Sequence, residues 1–155
     1  MRLEAKVLTV STSAHLGTRA DRSGPALVEA LTARGFTVVA TAVVADGDDA
    51  VAEMLTALSD GFAGLLLTTG GTGFAPSDRT PEGTLKVLER LAPGLAEAIR
   101  AASPLGRLSR GVAGTVGRCI VANLPGSTTG ALESLDAIAD VLPHALHLLD
   151  GGEPH

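Results

Sequence analysis

The sequence has no tryptophan, no tyrosine and only three phenylalanines. Platforms that stack nucleic-acid bases or sugar rings are built on aromatic faces, so this composition argues against both. Cysteine is nearly absent too. Cys119 stands alone, which excludes an internal disulfide. The four histidines, His15, His144, His147 and His155, do not fall at zinc-ligand spacing. Positive charge is not in excess: 12 lysines and arginines face 17 acids, for a net charge of −5. A nucleic-acid scaffold would carry the opposite balance. No apolar run approaches the roughly 20 residues that span a bilayer, so no membrane partner is expected. The segment after Met1 runs directly into a short apolar stretch that reads as a first strand and not as a secretion signal. These exclusions leave a cytoplasmic, soluble chain. A chain of 155 residues can bury roughly 70% of its surface without disulfides. One domain over residues 1–150 is expected, with a frayed tail at 151–155.

What the sequence does have is glycine, 19 residues of it, with 8 prolines. They are clustered and separate apolar runs of alternating type. Residues 5–11 read as a strand, followed by a polar loop over 12–22. Ser23 caps a helix with Pro25 near its first turn and Gly35 just past its end. Residues 36–44 form the second strand. Asp46 to Asp49 open a helix that runs to about residue 60, with acids where the helix dipole favours them. Residues 63–69 are apolar on both faces, as in a central parallel strand. Helices are expected over 81–90 and 94–102, a loop over 104–117, and another buried strand over 118–123. A long helix over 128–149 should kink before Pro143. This alternation predicts a three-layer α/β fold, a mostly parallel sheet with helices on both faces. Ligands then bind outside the C-terminal edge of the parallel strands.

Four polar segments follow predicted strands and should meet at that edge: residues 11–23, 46–49, 70–80 and 123–129. The most distinctive is Gly70-Gly71-Thr72-Gly73. Consecutive glycines allow positive φ and close backbone approach, and their amides can converge on an anion. Thr69, Thr72, Ser77 and Thr80 add hydroxyls. The segment matches neither a dinucleotide fingerprint nor a phosphate loop of the Gly-Lys-Ser/Thr type. A plain chain-reversing turn fits it as well. Asp46 and Asp78 are a candidate pair for a divalent cation that would offset their repulsion of a phosphate. Each also precedes a helix, where a capping carboxylate fits. Arg79, Lys86, Arg107 and Arg110 are candidates for phosphate neutralisation, as are Arg19 and Arg22, and each also fits a solvated surface charge. Asp21, Ser23 and Gly24 offer a hydroxyl and amides at a helix start. Asn123, at a strand end, suits the edge of a heterocycle, and Ser127 suits either a ligand or a helix cap. Cys119 reads as a buried thiol with no nucleophilic role.

In this order, the blocks resemble the Mog/MoaB family of molybdenum cofactor biosynthesis, which includes the G domains of gephyrin and plant Cnx proteins. The carrying segments are Thr68-Thr-Gly-Gly-Thr-Gly-Phe-Ala-Pro-Ser-Asp-Arg-Thr-Pro-Glu82, Asp21-Arg-Ser-Gly-Pro25, Leu108-Ser-Arg-Gly-Val-Ala-Gly114 and Asn123-Leu-Pro-Gly-Ser127. The resemblance implies a molybdopterin-binding fold, a homotrimer, and adenylyl transfer from ATP to molybdopterin with Mg²⁺, releasing pyrophosphate. It implies a molybdate-insertion enzyme as the next partner. Asp46 and Asp78 take the catalytic and metal-binding positions. Ser11, Asp21, Ser23, Gly24, Thr69, Gly70, Gly71, Thr72 and Gly73 take substrate or nucleotide contacts, as do Ser109, Arg110, Asn123, Pro125, Gly126 and Ser127. The chain departs from the pattern at Thr12, where many relatives have Asp, and at Thr128, where a proline is common. The alternative from another class is a non-catalytic molybdopterin-binding or scaffold protein.

Overall fold

Leu65, Leu66 and Leu67 are each fully buried, which requires cover on both sides of the strand that carries them. That strand is β3, Gly64–Thr69. In the computed structural model, which describes residues 2–154, β3 lies inside a six-stranded sheet of order β2-β1-β3-β6-β5-β4. The other strands are β1, Glu4–Val10, β2, Thr37–Val44, β4, Arg90–Leu91, β5, Ala113–Val116, and β6, Cys119–Leu124. β2, β1, β3 and β6 run parallel. β5 runs antiparallel to β6, and β4 antiparallel to β5.

Alternate residues of the strands feed two cores. On one face Val7, Leu65, Leu67 and Ile120 pack with Leu27 and Leu31 of α2, Ser23–Ala33. Ile99 of α5, Pro93–Ala101, joins them, with Leu135 of α6, Thr128–Ile138, and Leu142 of α7, Leu142–Leu149. On the other face Leu8, Leu66 and Val121 pack with Val51 and Leu55 of α3, Asp48–Ser59. Truncating one such buried leucine to alanine costs about 2–5 kcal/mol. Cys119 is fully buried in the second core, and burial pushes its thiol up to about 12. It stays protonated and unreactive at neutral pH. Among the described residues no helix is long and apolar enough to cross a membrane.

The expected polar loop at 12–22 contains α1, a single turn over Thr12–His15, whose Ala14 amide is capped by the Ser11 hydroxyl. The expected helix over 81–90 is shorter. It is α4, Thr80–Leu85, after which Glu89 donates its backbone N–H to the Thr115 carbonyl and the chain becomes an edge strand. The loop expected over 104–117 holds a 3-10 turn, Pro104–Leu108, and the strand β5. The long C-terminal helix is broken and not merely kinked, because Pro143 sits in the first turn of α7, where it lacks the N–H that would continue α6. Of the expected frayed tail, His155 lies outside the described residues, as does Met1.

Candidate functional site

The parallel register pairs Val10 with Val44, Thr9 with Thr69, and Thr69 with Leu124. The C-terminal ends of β1, β2, β3 and β6 are therefore level, and the loops that follow them converge. A cavity of about 590 Å³ lies across these ends. Ser11, Arg19, Arg22 and Ser23 line it from the loop after β1, and Asp46 from the loop after β2. Gly70, Gly71 and Asp78 come from the loop after β3, and Gly126 and Ser127 from the loop after β6. A second cavity, of about 620 Å³, adjoins it. Its walls include Ile99, Leu105 and Leu108, with Thr72, Gly73, Ser109 and Pro125 at its polar side. Gly71, Asp78, Gly126 and Ser127 line both cavities.

The glycine turn is fixed by its own sterics. Gly70 and Gly71 have φ of 106° and 68°, a region that side chains disfavour. A Cβ on Gly70 would strike the Val10 carbonyl oxygen, and one on Gly71 would strike the Thr80 hydroxyl and stand 3.2 Å from Asp46 Oδ1. Thr80, expected to offer its hydroxyl to a ligand, instead closes the turn. Its Oγ1 donates to the Gly70 carbonyl at 2.9 Å and its N–H to the Gly71 carbonyl at 3.1 Å.

Neither candidate acid caps a helix. α3 begins after Gly47 and α4 after Arg79, and no side-chain bond caps either. Asp46 Oδ2 accepts from the Thr12 N–H at 3.1 Å and from Thr12 Oγ1 at 2.9 Å. Asp78 Oδ2 accepts from the Ala75 N–H at 3.0 Å. The second oxygen of each carboxylate makes no hydrogen bond among the described residues. Those residues hold no group of three or more histidines, cysteines or acids suited to a metal, so a closed protein cage is not present. Two carboxylates with one oxygen to spare each do fit a magnesium ion, which keeps water and takes its other ligands from substrate phosphates.

Several expected contacts are spent inside the protein. Asn123 is buried; its Oδ1 accepts from the Val112 N–H, and its Nδ2 donates to Thr68 Oγ1 and Thr84 Oγ1, each at 3.0 Å. No edge is left for a heterocycle. Arg110 does not face a phosphate site either. Its Nε donates to the Gly73 carbonyl at 2.7 Å, and its terminal nitrogens to the Asp78 carbonyl and to both Glu82 oxygens. It clamps the segment that carries Asp78. The Arg110 guanidinium holds the Glu82 carboxyl below the usual range, and Glu82 holds Arg110 up in turn. Thr69 donates its hydroxyl to the Pro125 carbonyl at 2.7 Å. Asp21, rather than the expected Ser23, satisfies the start of α2. It accepts from the Gly24 N–H at 3.0 Å and from Thr9 Oγ1 at 2.8 Å, so the Gly24 amide is unavailable to a ligand. Ser127 caps α6 by accepting from the Gly130 N–H at 3.1 Å while still lining both cavities. Arg79 and Lys86 pair with Asp48, and Lys86 also with Asp49. Arg107 donates to the Pro104 carbonyl. Thr12 and Glu82 do structural work in the site that local spacing did not assign to them, and the apolar wall from the 3-10 turn lay in the expected loop.

Residues 6–144 match the family model described as "Probable molybdopterin binding domain". The chain is similar to the molybdopterin biosynthesis enzyme MoaB of Thermus thermophilus, with 44% identity, a TM-score of 0.91 and coverage of 99% of each chain. It is 35% identical over 153 residues to a molybdenum cofactor biosynthesis bifunctional protein of Synechococcus elongatus, covering 96% of this chain and 48% of that one. It is 36% identical over 78 residues to a molybdopterin adenylyltransferase of Helicobacter pylori, covering 48% of this chain and 44% of that one. The chain thus spans less than half the length of the curated relatives it matches.

Proposed function

Because the chain belongs to the molybdopterin-binding domain family of molybdenum cofactor biosynthesis, we propose that it transfers the adenylyl group of ATP to the terminal phosphate of molybdopterin. One observation carries this: two cavities of different character share a wall that includes Asp78 and the glycine turn. A two-substrate transfer needs such a shared wall. The apolar cavity suits the heterocycle of the pterin. The polar cavity suits a polyphosphate. Reaction then takes place where they meet.

An oxygen of the molybdopterin phosphate attacks the α-phosphorus of ATP. A new O–P bond forms, the bond to the α,β-bridging oxygen breaks, and its electron pair leaves with pyrophosphate. The nucleophile is already ionised at neutral pH, so no general base is required. The protein's contribution is alignment and charge stabilisation. Gly70 and Gly71 bring backbone close to the phosphates. Arg110 and Thr80 hold the turn that presents Asp78, and Thr12 holds Asp46. Asp46 and Asp78 would hold magnesium, which supplies neutralisation of the phosphate charge.

Incubation of the purified protein with molybdopterin and Mg-ATP, read by mass spectrometry, tests the proposal. Adenylyl-molybdopterin and pyrophosphate in equal amounts are expected. Tight molybdopterin binding with no pyrophosphate would instead identify a non-catalytic pterin-binding protein.

A further inference from the structure

Of the chain's 12 lysines and arginines, Arg19 and Arg22 alone have neither an ion pair nor a side-chain hydrogen bond among the described residues. The others each meet a protein acceptor. Both arginines line the polar cavity, and neither lines the apolar one. Their backbones are nonetheless held. The Arg19 N–H donates to the Ser13 carbonyl at 3.3 Å, as does the Thr18 N–H at 2.9 Å. Asp21, between them in sequence, is locked by Thr9 and Gly24 and gives both its oxygens to those partners. The remaining acids of the cavity are Asp46 and Asp78. Two anchored segments therefore present two uncommitted guanidinium groups to a cavity in which no acid neutralises them. Guanidinium groups are suited to the forked oxygens of phosphates.

The direction of the chemistry says which phosphates. In an in-line displacement the leaving group departs opposite to the incoming oxygen. With the pterin in the apolar cavity and the α-phosphorus at the shared wall, the β- and γ-phosphates point into the polar cavity. We propose that Arg19 and Arg22 grip the β,γ-pyrophosphate portion of the nucleotide and neutralise it as it leaves. The assignment rests on the adenylyl-transfer reading for its direction, but its ligand class, a diphosphate, can be tested without turnover.

The test is calorimetric titration of the full chain and of Arg19→Gln, Arg22→Gln and the double variant with Mg-pyrophosphate and with AMP. Each substitution is expected to weaken pyrophosphate about tenfold or more, as for loss of a charge-assisted bond. AMP, which lacks the two outer phosphates, should change by less than about twofold. In steady state the apparent KM for Mg-ATP should rise while that for molybdopterin holds. Because both residues are exposed and neither guanidinium makes an ion pair or a side-chain hydrogen bond among the described residues, the melting temperatures should be nearly unchanged. Unaltered pyrophosphate affinity in the double variant overturns the proposal, as does an equal loss for AMP or a wild type that binds no pyrophosphate. A wild type that binds pyrophosphate through these arginines yet makes no adenylyl product leaves the clamp standing and defeats the transferase reading alone.

Discussion

Asp46 and Thr12 are joined by three hydrogen bonds. One Asp46 oxygen accepts from both the backbone and the hydroxyl of Thr12, and the Thr12 hydroxyl accepts from the Asp46 N–H at 3.1 Å. A single carboxylate oxygen is thereby saturated and the other is left for the cavity. Thr12 stands at the start of α1 and Asp46 between β2 and α3, so the clasp also ties the loops after β1 and β2 together. The threonine adds a donor beside Asp46 and no second negative charge.

Thr12→Val removes the hydroxyl but keeps the shape. Turnover is expected to fall about tenfold or more, since a carboxylate free to rotate no longer presents one fixed oxygen. Folding stability should drop by only about 1 kcal/mol, as for loss of an exposed hydrogen bond. Thr12→Ser should behave like wild type. Parallel steady-state assays and urea titrations of the two variants decide the matter, with Mg²⁺ dependence as the sensitive readout.

The Glu82–Arg110 pair makes stability depend on acid pH. The folded carboxyl titrates below its ordinary value of 4.5, so the folded state binds fewer protons than the unfolded chain. The contribution is therefore fully present above about pH 4.5 and is lost as pH falls through the lower folded value. Glu82→Gln should cost about 1–2 kcal/mol at neutral pH, as for a charge-assisted bond at a half-buried position. The gap between wild type and variant in denaturant midpoint should stay level from neutral pH down to that point, then narrow below it.

Asn123→Ala removes three bonds. The Thr68 hydroxyl and the Val112 N–H lose their side-chain partner, and the Thr84 hydroxyl keeps only its own bond to the Thr80 carbonyl. A cost of about 2–4 kcal/mol is expected, because unpaired buried polar groups forfeit their hydration without return. Urea unfolding should show a lower midpoint with an unchanged slope. A near-neutral result would return Asn123 to the residues that face a ligand.

The elements that could be read from sequence are those whose local pattern matches their burial. β1, β3 and β6 are apolar runs that end in polar loops, and that is how strands covered on both faces look. β5 was hidden because its four residues, Ala113–Val116, include a glycine. Gly114 is needed there, since a Cβ would collide with the carbonyl of Arg90 on the neighbouring strand. β4 is two residues long and carries no pattern. In the site, Asp46, Asp78 and the glycine turn stood out as strand ends followed by acids and glycines. The roles of Asn123 and Arg110 did not, because their partners lie 11 to 55 positions away. Spacing along the chain cannot reveal that a polar side chain is already satisfied by a distant one.

Pyrophosphate release by wild type and by Asp78→Asn, each with saturating molybdopterin and Mg-ATP, is the most direct measurement. Asparagine keeps an oxygen for the Ala75 N–H but removes the charge beside the shared wall. Wild type should turn over, and the variant should lose about 100-fold or more, as when a group stabilising transition-state charge is removed, with its melting temperature nearly unchanged. Equal rates in the two proteins, or a variant inactive because it has unfolded, would contradict a catalytic Asp78 between two substrate cavities.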